Sequence, residues 1–120
     1  KGQYAGLFRN GFKIWGSQRV HPKIELKGDG GLVLKKPLDH FVDNDIKDMF
    51  NRLNAYTDAR ALDIRDNNDG GNFLGNVKRI FSRFFKCYFL RKGYKEGRYG
   101  FFIALCAGLY PIWSYLKAKK

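Results

Sequence analysis

From Tyr99 to Leu116 the chain runs for eighteen residues without a formal charge. Such a run has to leave water, so it is either packed in a protein interior or set against lipid. As a straight helix it is ~27 Å long, slightly short of a hydrocarbon core of ~30 Å. Pro111, Gly100, Gly108, Ser114 and several tyrosines weaken a spanning reading further, and Lys117, Lys119 and Lys120 follow the run. A helix lying at a membrane interface or packed on a domain is expected, with Trp113 and Tyr115 near the boundary. Deleting Tyr99 to Lys120 is then expected to release the protein from membranes.

The segment before it points the same way. From Asn72 onward Phe73, Val77, Ile80, Phe81, Phe84, Phe85, Tyr88 and Phe89 recur every three to four residues, with Lys78, Arg79, Ser82, Arg83 and Lys86 on the other side. This is the pattern of an amphipathic, basic helix, and Gly93 and Gly97 bracket a break after it. The chain carries 23 Lys and Arg against 11 Asp and Glu, a net charge of +12. The excess is greater in the second half, where eight basic residues and one acid, Glu96, lie between Lys78 and Arg98. Anionic partners follow from this: phosphates, nucleic acid or an acidic membrane surface. The aromatics form one stripe, expected to face a core or lipid, and are not interleaved with the cations; no RNA-recognition or zinc-finger signature accompanies them. Anionic lipid headgroups are therefore the expected partner of Lys78, Arg79, Arg83, Lys86, Arg91 and Lys92. No nucleic-acid partner is expected; a nucleic-acid-binding domain remains the weaker rival and would bind single strands in a salt-sensitive way.

Upstream, glycine-bounded runs read as strands. Tyr4 to Ile14 is one, Trp15-Gly16-Ser17 turns the chain, and Pro22 biases His21 towards an extended backbone. Ile24 and Leu26 alternate with charged residues, Gly28-Asp29-Gly30-Gly31 offers a turn, and Leu32-Val33-Leu34 is the expected returning strand of a β-hairpin. The change to helix falls near His40. Asp43 or Asn44 is the expected N-cap of a helix running to about Ile64, with Ile46, Met49, Phe50, Leu53, Tyr56 and Thr57 on one face. Asp45 and Asp48 suit the positive end of its dipole, and Asp66 to Gly71 breaks it.

Three groups of residues invite a chemical reading. Asp43-Asn44-Asp45 has the spacing of a carboxylate pair that holds a divalent cation, but it opens a helix instead of ending a strand, so capping is the stronger reading. Asp66 to Gly71 fails as a calcium loop, because Gly70 and Val77 fall where oxygen ligands are needed. His21 and His40 each flank an expected strand, where side chains often line a cleft; a structural role is the default for either. Cys87 and Cys106 are far apart and show neither a disulfide framework nor metal spacing.

Taken in order, the residues resemble the C-terminal part of bacterial family 2 glycosyltransferases, in the branch that decorates lipopolysaccharide core and related envelope glycans. The matching pieces are Leu7-Phe8-Arg9, Val20-His21, Leu38-Asp39-His40, Arg52-Leu53-Asn54-Ala55-Tyr56-Thr57 with Ala59 and Ala61, the aromatic helix through Phe85 to Tyr88, and Gly93-Tyr94-Lys95-Glu96-Gly97-Arg98-Tyr99-Gly100-Phe101, ending in Ala104, Tyr110 and Lys117. The resemblance implies an α+β fold: short strands over residues 1–42 with a β-hairpin completing a GT-A sheet, then three helices over 43–120, the last two amphipathic or apolar.

It also implies an inverting enzyme that moves a sugar from a nucleotide-sugar donor to an envelope glycan or lipid-linked acceptor. Such an enzyme works peripherally at the cytoplasmic face of the inner membrane and usually with Mg²⁺ or Mn²⁺. The nucleotide-binding half is then expected upstream, and the chain by itself is expected to be inactive. By this resemblance His40 sits near the metal and diphosphate. His21 falls where many relatives have His-Glu, the acid being their candidate base; with His21-Pro22 here, His21 itself or an upstream residue would serve. Arg9 and Arg19 become phosphate or acceptor contacts. The rival class is a non-enzymatic basic module that binds a membrane surface.

Overall fold

In the computed structural model, which describes residues 6–32, 36 and 43–120, the strands are the smallest elements. The chain divides into two units, Lys1–His40 and Phe41–Lys120.

In the first unit β1 (Lys13–Trp15) pairs antiparallel with β2 (Ile24–Leu26), with Lys13 opposite Leu26, Ile14 opposite Glu25 and Trp15 opposite Ile24. Bonds from Gly16 N to the Lys23 carbonyl (2.7 Å) and from Lys27 N to the Phe12 carbonyl (2.8 Å) extend the ladder at both ends. The expected strand over Tyr4 to Ile14 is thus shorter and later: a turn closed by Phe12 N on the Arg9 carbonyl precedes β1. The expected hairpin is also re-partnered. β2 pairs backward with β1, while Leu32 is fully exposed coil and Val33 and Leu34 lie outside the described residues.

The β1–β2 loop is drawn shut by Gln18 Oε1, which accepts from Lys23 N at 3.0 Å. Within that loop His21 has φ +50°, not the extended backbone expected before a proline. Closing the loop overrides the local bias, a conformation histidine tolerates better than most residues.

The second unit is helical. α1 (Ile46–Asn67) starts on Asp45, whose extended backbone and Oδ1, accepting from Asp48 N at 2.7 Å, make it the N-cap. The cap is neither Asp43 nor Asn44: Asp43 instead pairs with Arg52 at 2.6 Å. α1 runs past Ile64 and stops where Asn68 turns left-handed (φ +51°). Met49, Leu53, Thr57, Ala61 and Asp63 are buried, whereas Tyr56, expected on that face, is exposed.

α2 (Phe73–Phe85) is capped by Asn72, whose Oδ1 accepts from Gly75 N at 2.7 Å. One step in, Asn76 is buried and fully used: its amide donates to the Gly70 and Asn72 carbonyls (2.8 and 2.9 Å), and its Oδ1 accepts from Arg79. A π-helical turn (Lys86–Leu90) and a 3₁₀ turn (Gly93–Glu96) then lead into α3 (Gly97–Lys119).

α3 lies between the other two. It packs along α1 on one side and α2 on the other, and α1 and α2 make no close approach to each other. That arrangement covers part of the uncharged run, since a helix apolar all round needs cover on more than one face; Tyr99, Phe101, Ile103 and Leu116 remain exposed on α3. Small residues set the close fits of α3. Against α2, a Cβ on Gly108 would lie 2.9 Å from the Ile80 carbonyl oxygen; against the 3₁₀ turn, one on Gly100 would collide with the Gly93 backbone. Between these two glycines, one turn from each, Ala104 is 0% exposed. Against α1, Phe102 meets Phe50 edge-on at 6.2 Å. The far end is tied by Arg65, whose guanidinium donates to the Lys117 and Ala118 carbonyls (2.8 and 3.1 Å) and so caps the α3 C-terminus.

Candidate functional site

The helical unit carries most of the cations, and α2 sets how they are displayed. Its apolar arc is wider than one neighbouring helix can cover. Phe84 turns towards α3, stacking on Tyr88 (5.5 Å) and meeting Phe101 edge-on (5.7 Å). Leu74, Phe81 and Phe85, spaced seven and four residues apart and hence on one line of the helix, stay exposed, Leu74 at 70% and Phe81 at 71%. Phe89 and Leu90 continue the exposed apolar surface through the π-helical turn. The aromatic stripe expected to face one environment therefore faces two. The signal was present in the sequence as the adjacent pairs Phe73-Leu74, Ile80-Phe81 and Phe84-Phe85, which broaden the arc.

Lys78, Arg79, Arg83 and Lys86 are exposed on α2, and Arg91 and Lys92 are exposed in the turn after it. Arg83 reaches over the Tyr110 ring at 6.0 Å. Tyr110 lies in the field of Arg60 of α1 and Arg83 of α2; burial pushes its phenol above the ordinary value, against the pull of both guanidiniums. Trp113 and Tyr115 are half-buried. Tyr115 lines a depression of about 90 Å³ with Ile64, Arg65, Asn68 and Gly70, well below the volume of an ordinary small-molecule site.

In the first unit, Arg19 and His21 are exposed and share the β1–β2 loop. Arg9 lies in the turn before β1, so the strand pair stands between it and them. Lys13 bridges two rings, its Nζ 4.2 Å from the Trp15 centroid and 4.7 Å from that of Phe8. His40, with Leu38 and Asp39, lies outside the described residues.

Among the described residues no group of three or more His, Cys, Asp or Glu converges. Asp45 is engaged as a cap and Asp43 with Arg52, so Asp43-Asn44-Asp45 does not fit a Mg²⁺ or Mn²⁺ site. No family model, curated protein or solved structure matches the chain.

Proposed function

We propose that this chain is the C-terminal portion of an inverting, GT-A-type glycosyltransferase, and that its helical unit rests on the cytoplasmic face of the inner membrane. The observation that carries the membrane contact is the exposed apolar line Leu74, Phe81 and Phe85, with exposed Lys78 set within it and exposed Lys86 beside it. An apolar strip edged by cations suits an anionic bilayer surface, where rings enter the acyl boundary and ammonium groups reach phosphates.

The transferase part rests on the ordered residues from Leu7-Phe8-Arg9 to Lys117 that resemble the family. The strand pair adds support. Phe12, Ile14, Trp15, Ile24 and Leu26 are all exposed, and an isolated two-stranded ribbon of this kind is marginal in water. Such strands make sense as part of a larger GT-A sheet whose other members come from a longer protein. In this reading the acceptor hydroxyl loses its proton to His21 or to an upstream base. Its oxygen bonds to the anomeric carbon as the bond to the nucleotide diphosphate breaks, with inversion. Arg9 and Arg19 contact phosphate or acceptor, and His40 stabilises the leaving diphosphate.

The test is sugar transfer by the protein with its upstream sequence present. His40→Ala is expected to lower turnover by about 10²-fold or more. Turnover equal to wild type would remove His40 from the mechanism, and vesicle binding without any transfer would favour a non-enzymatic membrane-surface module.

A further inference from the structure

By composition α3 is the segment best suited to lipid: the stretch Gly93–Lys119 is long and apolar enough to cross a membrane. Its position argues against that use. α1 packs along one side of α3, and α1 is a polar helix whose Lys47, Asn51, Asn54, Asp58, Arg65 and Asp66 are exposed. Lys117 near the end of α3 is bound to Asp58 at 2.8 Å. A spanning α3 would carry these charges of α1 into the hydrocarbon, where charge is strongly disfavoured. Its other side is occupied by α2, in backbone contact at Gly108.

α2 is differently placed. Only its α3-facing side is used, and Leu74, Phe81, Phe85 and Phe89 are left exposed on a segment ~22 Å long from Leu74 to Phe89. Lys78, one turn from both Leu74 and Phe81, is exposed on the same line between them; its four-carbon stem can lie along the rings while the ammonium group reaches up to the headgroups. The exposed cations Lys86, Arg91, Lys92, Lys95 and Arg98 follow, with Glu96 the one acid in that stretch. This charge matches a bilayer surface rich in anionic phospholipid.

Building on the membrane-contact reading above, we infer that α2 and its π-helical turn, not α3, enter the lipid. α2 lies in the plane of the interface with Leu74, Phe81, Phe85 and Phe89 at the acyl boundary. α3 is the scaffold that holds it there, out of the hydrocarbon.

The experiment places an environment-sensitive NBD label at one cysteine of the intact chain, in a Cys87→Ser/Cys106→Ser background, at Phe81→Cys, Ile103→Cys or Lys47→Cys. All three positions are exposed. On vesicles with phosphatidylglycerol, the label at position 81 is expected to brighten several-fold and to be quenched by lipids carrying a shallow doxyl group, while labels at 103 and 47 stay unchanged. A response at 103 equal to or greater than that at 81 overturns the inference. So does a chain that sediments with vesicles while position 81 stays dark, which leaves the membrane reading standing. No sedimentation with anionic vesicles overturns both. In a second arm with the native cysteines kept, Phe81→Asp/Phe85→Asp is expected to weaken vesicle binding at least tenfold with an unchanged thermal melt. Undiminished binding also overturns the inference.

Discussion

Thr57 Oγ1 accepts a hydrogen bond from Lys117 Nζ at 2.8 Å, across 60 residues of sequence. The same ammonium group reaches Asn54 Oδ1 at 2.7 Å and the Asn54 carbonyl at 3.1 Å, and it pairs with Asp58 at 2.8 Å. Thr57 is wholly buried, and its own proton goes to the Asn54 carbonyl at 2.8 Å. One cation thus finishes the polar groups of the α1 turn against which the end of α3 packs. Lys117→Met, which keeps the stem, is expected to cost about 1–2 kcal/mol in urea unfolding. Asp58→Asn is expected to cost less than about 0.5 kcal/mol, because that carboxylate is largely in water.

Gly108 tests the contact between α2 and α3. Alanine has the higher helix propensity by about 1 kcal/mol, so Gly108→Ala would stabilise an isolated helix. Here the new methyl meets the Ile80 carbonyl oxygen, and the overlap is expected to win, with a net loss of about 1–3 kcal/mol. Gly100→Ala, facing the Gly93 backbone, is expected to lie at the upper end of that range. Thermal melts of the two variants check the order.

The Asp43-Asn44-Asp45 segment separates capping from metal binding. Asp45→Asn keeps an oxygen for Asp48 N and is expected to leave stability within about 0.5 kcal/mol, whereas Asp45→Ala is expected to lose about 1 kcal/mol. Addition of Mg²⁺ or Mn²⁺ is expected to shift neither melt. A metal-induced rise in melting temperature that Asp45→Asn abolishes would contradict the capping role.

Burial pushes the Cys106 thiol above its ordinary value of 9.0, with the Asp43 carboxylate adding to the effect and Arg52 opposing it. A group held neutral by the fold contributes stability below the unfolded value and loses it as pH rises through the folded one. Folding free energy is therefore expected to fall above about pH 9, and Cys106→Ala is expected to flatten that fall. Iodoacetamide is expected to alkylate Cys106 faster in urea than in the folded chain at the same pH, as followed by mass spectrometry of the Cys106 peptide.

The helices were legible because their signals are local. The start of the apolar pattern after Asn72 and the Gly93 to Gly97 break stand where the sequence puts them, while α1 runs three residues past the expected end at Ile64, to Asn67. Three consecutive cap-competent residues at 43–45 blur the start of α1; Arg52 engages Asp43 and the Asn44 amide donates to Asp48, which leaves Asp45 as the cap. The sheet was less legible. Ile24 to Leu26 announces a strand, but glycines at 28, 30 and 31 promise a return that β2 does not take among the described residues; its partner lies upstream, across an eight-residue loop. The split of the α2 stripe depends on the width of α3, a tertiary quantity. The central place of α3 had a readable sign in Gly100, Ala104 and Gly108, one turn apart, which mark a face cut down for close approach. Of the candidate site residues, the structure brings Arg19 and His21 into one loop and leaves Arg9 beyond the strands.

Since α1 and α2 make no direct packing contact, what joins them, apart from their short 68–72 connection, is α3, the keystone of the helical unit. Substitutions in the two outer helices, Met49→Ala with Phe84→Leu for example, are expected to have additive free-energy costs, while each is expected to be non-additive with a change in α3. Truncation before Tyr99 therefore removes the common support of both outer helices, and loss of vesicle binding in that variant would report a collapsed bundle and not a lost lipid contact. Cooperativity in this half of the chain belongs to its least charged helix.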